Sequence, residues 1–548
     1  MASAREIITF QLGHYSNYVG THWWNIQESG FDYTSSAPSE INHDVLYREG
    51  LTSKEYVTYT PRLLLVDLNG SLRHLPKEGD LYDKVPEPSH SHALWSHEKV
   101  EIIQSPKESK NEFLEDLDDD KMDLGDAKAD KAYNLDNEVT VWSDFLRTRY
   151  HPRTVTLIKE YHHANEATSF DVFNYGVNLW KTPEFEDDFC DKISAYAEEC
   201  DNMQGFHILM DGTDGFGGLG SSVVQYLQDE YPRKSVLAFP AIQSNFTDSS
   251  PTNDSLRVIN LTLLFSKLAE HSSLFVPLSV ASLGWRKPGP PREFRYLRYN
   301  NSLPYHSSSI LAMALDTLTL RYRLRASPHF LMGEMCHDLS RLGRRAAAAS
   351  LGVPFAMHSD AFLLETLENW EGPLWQSLTP NCSLEEDRIW MQSVVLRGIP
   401  QSRLRSPERK VCDNSNPAYS CKTVQEMLAL FLSCCSYATL SHVTTAEFSC
   451  RVAPPVPKIF SDVVGPYGSV EMMKPLGKTD VHSVPAIAGI HSSSSVGSML
   501  ESLLTEVDKL KIRKFPQYSA AGLEEDEYRE TIEQLLQLRE CYHEEFDV

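Results

Sequence analysis

The sequence predicts an α/β fold built on a mainly parallel sheet with helices on both faces. Three observations predict it. Short apolar runs resemble buried strands, segments of helical period follow them, and a glycine-rich stretch stands where one such run passes into a helix. At 548 residues, of which 41% are hydrophobic, the chain is long enough for two or three domains with sizeable cores.

The opening segments fit this fold in order. REIITFQL at 5–12 predicts a buried strand and NYVGTHWWNIQ at 17–27 a helix, and YTPRLLLVDLNGS at 59–71 predicts one further strand that ends in an Asn-Gly turn. From about 76 to 138 the chain becomes acidic and poor in aromatic residues, which predicts a disordered or loosely ordered insertion. That insertion is either a solvated acidic surface or a docking tail for a basic partner.

The middle of the chain alternates between strands and helices. A helix is predicted over 184–203, where Phe185, Phe189, Ile193, Tyr196 and Ala197 form one apolar stripe. The segments that follow are a strand (GFHILMD, 205–211), a loop with five glycines (DGTDGFGGLGSS, 211–222), a helix (VVQYLQDEYPRK, 223–234), a strand (SVLAFPAI, 235–242) and a helix (RVINLTLLFSKLAEHS, 257–272).

The glycine loop lies at the carboxyl end of a strand, which is where ligands bind in a Rossmann-like parallel sheet. Glycines let backbone N–H groups approach an anion closely, and the helix that follows presents its positive end to that anion. The loop lacks the Lys-Ser/Thr ending of a P-loop, so it is read either as a phosphate cradle or as a plain tight turn.

The predicted domains are residues 1–325, an N-terminal α/β domain of the nucleotide-binding type that carries the insertion, and 326–490, a second α/β domain. Residues 326–352 run from polar residues into alanines and predict a long helix joining the two, and 401–425 predict a long loop. Residues 491–548 predict C-terminal helices packed on the body, the first with an apolar face of Met499, Leu503, Val507 and Leu510.

Composition disfavours several functions. A net charge of −25 argues against a general affinity for nucleic acid or anionic lipid. The start MASAREIITFQLG resembles neither a secretory signal nor a mitochondrial presequence, and no run approaches eighteen apolar residues, so we expect a cytosolic chain with peripheral membrane association at most. The ten cysteines contain no C-x-x-C pair and suit reduced thiols, and HSHALWSH at 90–97 suits a solvated loop better than a metal site.

Read in order, these segments resemble the tubulin and FtsZ superfamily over nearly the whole chain. REIITFQLGHYSNYVGTHWW is similar to the tubulin start, YTPRLLLVDLNG to its second strand, EECDNMQGF with the glycine loop and LQDEYP to its signature segment, and SVVLRG to a strand of its second domain. Within the superfamily the chain resembles the Misato family, which includes the yeast DML proteins, through QLGHYSNYVGTHWWN, VWSDFLR, DGFGGLG, ILAMALDT and CRVAPP.

The tubulin resemblance implies a GTP site, and several of its positions are changed. Gly13 opens the first phosphate loop, but His14, Tyr15 and Ser16 follow it where tubulins have smaller groups. Asp67 matches a magnesium-facing acid, while its neighbouring acid is replaced by Asn69. Because hard cations prefer charged oxygens, we expect a weakened magnesium site.

The signature loop and the base-binding positions are changed as well. Gly215, Gly217 and Gly218 match the signature, but Phe216 replaces its threonine and Asp214 would repel phosphates. Asn260 matches the first base-reading asparagine, whereas the stacking tyrosine and the second asparagine fall near Val276 and Val280.

The segment that presents the catalytic acid in alpha-tubulin corresponds to GEMCHDLSR. Asp338 is retained there, Cys336 replaces an asparagine, and Arg341 stands at the position of the activating glutamate. Arginine does not act as a general base at neutral pH, so we expect no catalytic residue and no hydrolysis of GTP. Weak binding of GTP stays open, at a vestigial site of Gly13, Asp67, Gly215, Gly217, Gly218 and Asn260.

The family resemblance implies a non-catalytic, tubulin-like protein in the cytoplasm and peripherally on the mitochondrial outer membrane. It would regulate mitochondrial distribution, morphology and fusion by binding outer-membrane or fusion-machinery proteins. Two alternatives stay open: a GTP-binding switch or polymerising subunit, and an adaptor associated with tubulin or the cytosolic chaperonin.

Overall fold

A six-stranded parallel sheet and a five-stranded mixed sheet lie on either side of one buried helix in the computed structural model. The structure describes residues 5–31, 39–51, 57–75, 109–118, 131, 133–163, 169–246, 249–283, 285–325, 329–384, 388–406, 417–435, 438–452, 454–471 and 480–543.

The described strands are β1 (Ile7–Leu12), β2 (Tyr47–Leu51), β3 (Val57–Pro61), β4 (Leu63–Asn69), β5 (Val155–His162), β6 (Gly205–Asp211), β7 (Ser235–Ala241), β8 (Leu274–Phe275), β9 (Ala348–Gly352), β10 (Gln376–Ser377), β11 (Ile389–Arg397), β12 (Leu440–Ala446), β13 (Cys450–Arg451), β14 (Ser483–Val484) and β15 (Ala486–Ser493). The described α-helices are α1 (His14–Glu28), α2 (Glu112–Asp118), α3 (Phe173–Trp180), α4 (Pro183–Glu198), α5 (Gly215–Glu230), α6 (Pro251–His271), α7 (Pro304–Leu318), α8 (Met332–Leu339), α9 (Leu363–Glu368), α10 (Val424–Cys435), α11 (Ser494–Val507), α12 (Pro516–Ala520) and α13 (Glu525–Glu540).

The first sheet has the order β5-β4-β1-β6-β7-β8, and all its strand pairs are parallel. Its central strands are buried on both faces, which is why they read as continuous apolar runs in the sequence. Helices α1, α7 and α8 cover one face, and α3 to α6 with α11 and α13 cover the other. The predicted α/β fold with a parallel sheet and helices on both faces is confirmed.

Helix α7 lies between the first sheet and the second, whose order is β10-β9-β15-β11-β12. Every residue of α7 after Pro304 is buried, so the helix shows no polar face. Near its end the Asp316 carboxylate pairs with Arg323 at 2.8 Å and with Arg397 of β11 at 2.5 Å. These buried pairs connect α7 to β11 of the second sheet.

The C-terminal helices pack on the body, as the sequence predicts. Helix α11 buries Met499, Leu503 and Val507, and α13 contacts both α11 and α6. Beyond α13 the Tyr542 hydroxyl donates to the Ala346 carbonyl at 2.5 Å and accepts the Ala346 N–H at 2.9 Å. The chain near residue 542 is thereby tied to the segment that leads into β9.

Two predicted elements differ in extent. The single strand predicted at 59–71 is two strands, β3 and β4, because the chain leaves a hairpin with β2 at Pro61 and enters the parallel sheet at Leu63. The helix predicted from 223 begins at Gly215, so four of the five loop glycines are helical. The reason is that the Asp214 side chain accepts the Phe216 N–H at 2.9 Å and starts the helix there.

The long helix predicted at 326–352 is wrong. Helix α8 ends at Leu339, Leu342 and Gly343 adopt positive φ angles, and the alanine run enters β9. Its alanines are fully buried beside β15, where small side chains fit and strand pairing overrides helix propensity.

Two predicted irregular segments contain helix. Within the acidic insertion, residues 112–118 form α2, which buries Phe113 and Leu114. Residues 76–108 and 119–130, including HSHALWSH, lie outside the described residues. The loop predicted at 401–425 ends slightly earlier, because α10 begins at Val424, and residues 407–416 lie outside the described part.

Candidate functional site

The sequence-predicted site residues meet at the carboxyl edge of the first sheet, where β1, β4 and β6 end and α1 and α5 begin. Gly13 follows β1 with a φ of 116°, a conformation that favours glycine. A Cβ atom on Gly13 would lie 2.5 Å from the Asp211 Cγ atom, so glycine is required for the approach of this carboxyl group.

The Asp211 carboxylate occupies the N-terminus of α1. One oxygen accepts the Tyr15 N–H at 2.9 Å, and the other accepts the Ser16 N–H at 2.7 Å and the Ser16 hydroxyl at 2.6 Å. These N–H groups follow Gly13 in the segment that the tubulin resemblance assigns to the first phosphate loop. An acidic side chain of the protein therefore takes the donors that such a loop would offer to an anion.

An acidic side chain also takes an N-terminal N–H donor of the second predicted phosphate-binding helix, α5. Asp214 is the N-cap of α5 and accepts the Phe216 N–H. Burial raises the pKa of Asp211 to about 6, against hydrogen bonds from Tyr15 and Ser16 that lower it. Burial, with the nearby Asp211 carboxylate as the next cause, raises the pKa of Asp214 well above its usual value. A triphosphate here would meet two buried acids for which ionisation is already unfavourable.

Asp67 lies fully buried at the end of β4 and is surrounded by donors. One oxygen accepts the Trp142 indole N–H at 2.7 Å and the Asn17 amide at 3.0 Å, with the His14 ring 3.3 Å away, and the other accepts the Leu68 N–H at 2.8 Å. Burial opposes its ionisation, but His14 and these hydrogen bonds outweigh burial and lower the pKa of Asp67. Its oxygens are used by the protein instead of facing a magnesium site.

His14 adds bulk to the first loop, as the sequence predicts. Its ring lies against the His163 ring with centroids 3.9 Å apart and planes tilted by 33°, and it meets Tyr18 edge-on. Burial lowers the pKa of His163 to about 4, so this partner is a neutral ring at pH 7. The pair covers the side of the site next to Asp67.

Asn260 has all its hydrogen-bonding capacity taken by the protein. Its side-chain oxygen accepts the Phe173 N–H at 2.9 Å and the Tyr518 hydroxyl at 2.5 Å. Its amide donates to the carbonyls of Asp171 at 2.7 Å and Thr213 at 2.8 Å. The predicted base-reading asparagine thus links α6 to α3 and to the C-terminal segment through hydrogen bonds. Val276 and Val280, the other two base-site positions, are fully buried apolar residues.

The glycines of α5 serve helix packing. A Cβ atom on Gly218 would lie 1.8 Å from the Phe173 carbonyl oxygen, and one on Gly176 of α3 would lie 1.9 Å from the Gly215 carbonyl oxygen. Gly217 has ordinary contacts of 3.4 Å or more. Phe216 is buried and meets Phe170 edge-on at 5.0 Å.

The sequence interpretation missed three contributors and one pattern. Gly215, Gly217 and Gly220 have the spacing G-x-G-x-x-G, which is a readable signal for a nucleotide loop. Asp211 stands at the end of an obvious strand, so its position was readable and its role was not. Trp142 and Tyr518 carry no signal, because they reach the site only through the tertiary fold.

The segment that corresponds to the catalytic-acid segment lies apart from this edge of the sheet, on α8. Asp338 pairs with Arg341 at 2.6 Å and lies 3.5 Å from the His442 ring. Cys336 is buried, and burial raises the pKa of its thiol to about 12. The retained acid is therefore held by two basic side chains.

Within the described ranges, no cluster of three or more His, Cys, Asp or Glu residues could hold a metal ion. The same part of the chain contains no helix long and apolar enough to cross a membrane. The nine cysteines described there are free thiols.

The parallel sheet, the buried helix between two sheets and the altered loop edge define a tubulin-like protein. A model of the tubulin domain matches residues 132–324, and the Misato Segment II tubulin-like domain matches residues 5–119. The chain is 35% identical to protein misato homolog 1 of Danio rerio over 98% of its own length and 97% of that protein, and 34% identical to protein misato of Drosophila melanogaster over 99% of both. It is also 33% identical to protein DML1 of Gibberella zeae over 58% of this chain and 61% of that protein. The chain belongs to the Misato family.

Proposed function

We propose that this Misato-family chain is a non-catalytic, tubulin-like protein that regulates mitochondrial distribution, morphology and fusion through protein–protein interactions. It would act from the cytoplasm, peripherally on the outer mitochondrial membrane, on outer-membrane or fusion-machinery proteins. The mitochondrial role rests on the family resemblance, and the absence of catalysis rests on the geometry of the loop edge.

The observation that carries the non-catalytic part is the Asp211 carboxylate at the N-terminus of α1. A nucleotide phosphate bound there would have to displace three hydrogen bonds made by a buried acid, and Asp214 caps the second helix. Asp67 and Asn260 would also have to give up several internal hydrogen bonds each. Each lost bond to a charged group costs about 1.5–3 kcal/mol, so the residues present do not fit GTP in the tubulin manner.

The first experiment measures nucleotide directly. Freshly purified protein is denatured, and released guanine nucleotide is separated and quantified, with a calorimetric titration of GTP in magnesium as a second readout. We expect no stoichiometric nucleotide and no binding heat. Stoichiometric GTP or GDP in the denatured sample would overturn the argument from the loop edge and would favour the GTP-binding switch.

The mitochondrial part has its own test in cells. Depletion of the protein should alter the distribution of mitochondria and slow the mixing of a photoactivated matrix marker between them. Rescue should be equal with the wild type and with His14→Gln, which exchanges the histidine for the tubulin residue at that position. An unchanged network and fusion rate after depletion would contradict the proposed role.

A GTP-binding switch or polymerising subunit is the second candidate, favoured by the retained Asp67, Asn260 and Asp338. Sedimentation of concentrated protein with GTP and magnesium separates it from the first candidate, because a polymerising subunit pellets and a monomer does not. An adaptor for tubulin or the chaperonin is the third, and pull-down of those proteins from lysate would be its signature.

A further inference from the structure

A cavity with a volume of about 730 Å³ lies away from the loop edge, between α8, β11 and β12. Its walls include four arginines and two large apolar side chains, and we call it the arginine pocket: Arg341, Leu342, Arg344, Arg345, Arg388 and Trp390. Among the described lining residues four arginines accompany one carboxylate, Asp338, whereas the chain as a whole has 76 acidic and 51 basic residues.

Two of the arginines are held in fixed positions. The Arg344 guanidinium lies over the Trp390 ring at 3.7 Å, and its Nε atom donates to the Cys541 carbonyl at 2.8 Å. Arg345 donates to the Ser273 carbonyl at 3.3 Å. Charges that are already positioned lose little conformational entropy when they bind an anion, which makes the wall suited to recognition.

The pocket also presents apolar side chains to solvent. Leu342 is 80% exposed with a φ of 60°, and Leu440, which also lines the pocket, is 40% exposed. A leucine rarely adopts a positive φ, and such conformations concentrate at functional sites. Since six large hydrophobic residues are exposed in the described ranges, two of them at one arginine-lined cavity mark it as a contact surface.

We propose that the arginine pocket binds an acidic segment of a partner protein in which carboxylates flank a bulky apolar side chain. The carboxylates would pair with the arginines, and the apolar side chain would pack against Leu342, Leu440 and Trp390. A free phosphate would use the arginines and leave the leucines without a role. Asp338 is the carboxylate that lines this pocket within the described residues, and it already pairs with Arg341.

This inference does not depend on the mitochondrial role or on the state of the nucleotide-type site. The pocket shares Asp338 and Arg341 with the segment that corresponds to the catalytic-acid segment, but it shares no residue with the loop edge on which the non-catalytic proposal rests. A binding measurement with purified full-length protein therefore tests the pocket even if the proposed function fails, and the reverse also holds.

The probe is a fluorescein-labelled peptide in which four glutamates flank a Leu-Phe pair on each side, and its binding is measured by fluorescence anisotropy. Matched peptides carry glutamine for glutamate, or serine for the Leu-Phe pair. We expect binding that weakens with salt, and much weaker binding of both control peptides. Pyrophosphate serves as the competitor that represents a phosphate ligand.

Variants give effects of opposite sign. Arg341→Gln and Arg388→Gln each weaken binding about twofold to fivefold, because one exposed charge pair is lost. Asp338→Asn tightens binding about twofold to fivefold, because it removes a repelling charge and releases Arg341. Leu342→Gly weakens binding about fivefold although glycine suits a φ of 60°. Arg529→Gln, an exposed arginine on α13, is the control with no effect.

Equal binding of the glutamine peptide would overturn the proposal, and so would an unaffected Leu342→Gly variant. Full competition by pyrophosphate, with no loss of affinity for the serine peptide, would assign the pocket to phosphate instead. A thermal melt of each variant shows whether weaker binding comes from misfolding. The tighter binding expected of Asp338→Asn cannot come from a damaged fold.

Discussion

The contact between α3 and α5 allows two adjacent glycines to be compared directly. In Gly218→Ala the new Cβ atom would lie 1.8 Å from the Phe173 carbonyl oxygen, which is backbone and cannot rotate away. An ordinary Cβ contact is 3.4 Å or longer, so the two backbones must move apart by about 1.6 Å at this point. Overpacking costs about 1–3 kcal/mol, and we expect the upper end because the clash is with backbone.

Gly217→Ala is the matched control. Its nearest neighbours are 3.4 Å or more away, and its backbone is helical, so alanine gains up to about 1 kcal/mol from helix propensity. Unfolding by heat or guanidinium, followed by near-ultraviolet circular dichroism, should place the two variants about 3–4 kcal/mol apart, with the wild type between them. Equal stability of the two variants would refute the assignment of these glycines to helix packing.

Three further changes test the buried polar groups. Because burial raises the pKa of Asp211 to about 6, the stability that its neutral form gives below pH 4 is lost as the pH rises through 6. Asp211→Asn removes this titration, so its stability in thermal melts should change less between pH 4 and pH 7.5 than that of the wild type, and an unchanged pH dependence would contradict this. Asp316→Asn leaves Arg323 and Arg397 buried without their carboxylate, and we expect a loss of about 3–5 kcal/mol in denaturant unfolding, where a loss below 1 would contradict it. Tyr518→Phe removes a hydrogen bond to Asn260 and should cost about 1 kcal/mol in the same assay, with no change expected if that hydroxyl bond does not form.

Much of the first sheet could be predicted because its elements carry their own period. The strands β1, β6 and β7 are continuous apolar runs, which predict strands buried on both faces. Helices α4 and α11 each have one apolar stripe, which predicts the face that packs on the body. Helix α7 was not predicted, because a helix that is buried on all sides shows no stripe. The alanine run of β9 misled the interpretation because alanine favours helix until a sheet surrounds it.

The residues of the candidate site could be picked out from the sequence, but whether their polar atoms are free to bind a ligand could not be predicted. The sequence matches Gly13, Asp67 and Asn260 to tubulin positions, and the structure brings the three residues to one edge of the sheet. Whether their polar atoms remain open to a ligand depends on Asp211 and Tyr518, which lie far away in sequence. Such partners become visible only when hydrogen bonds are counted in three dimensions.

The two tyrosines that close the body have a consequence for how the chain is made. Tyr518 reaches back 258 residues to Asn260, and Tyr542 reaches back 196 residues to Ala346. During vectorial synthesis the ribosome therefore exposes α6 and the edge of the first sheet long before their covering helices exist. The apolar surface of the nascent chain stays exposed until the C-terminal helices are synthesised. Binding of a cellular chaperone would prevent aggregation best at that stage.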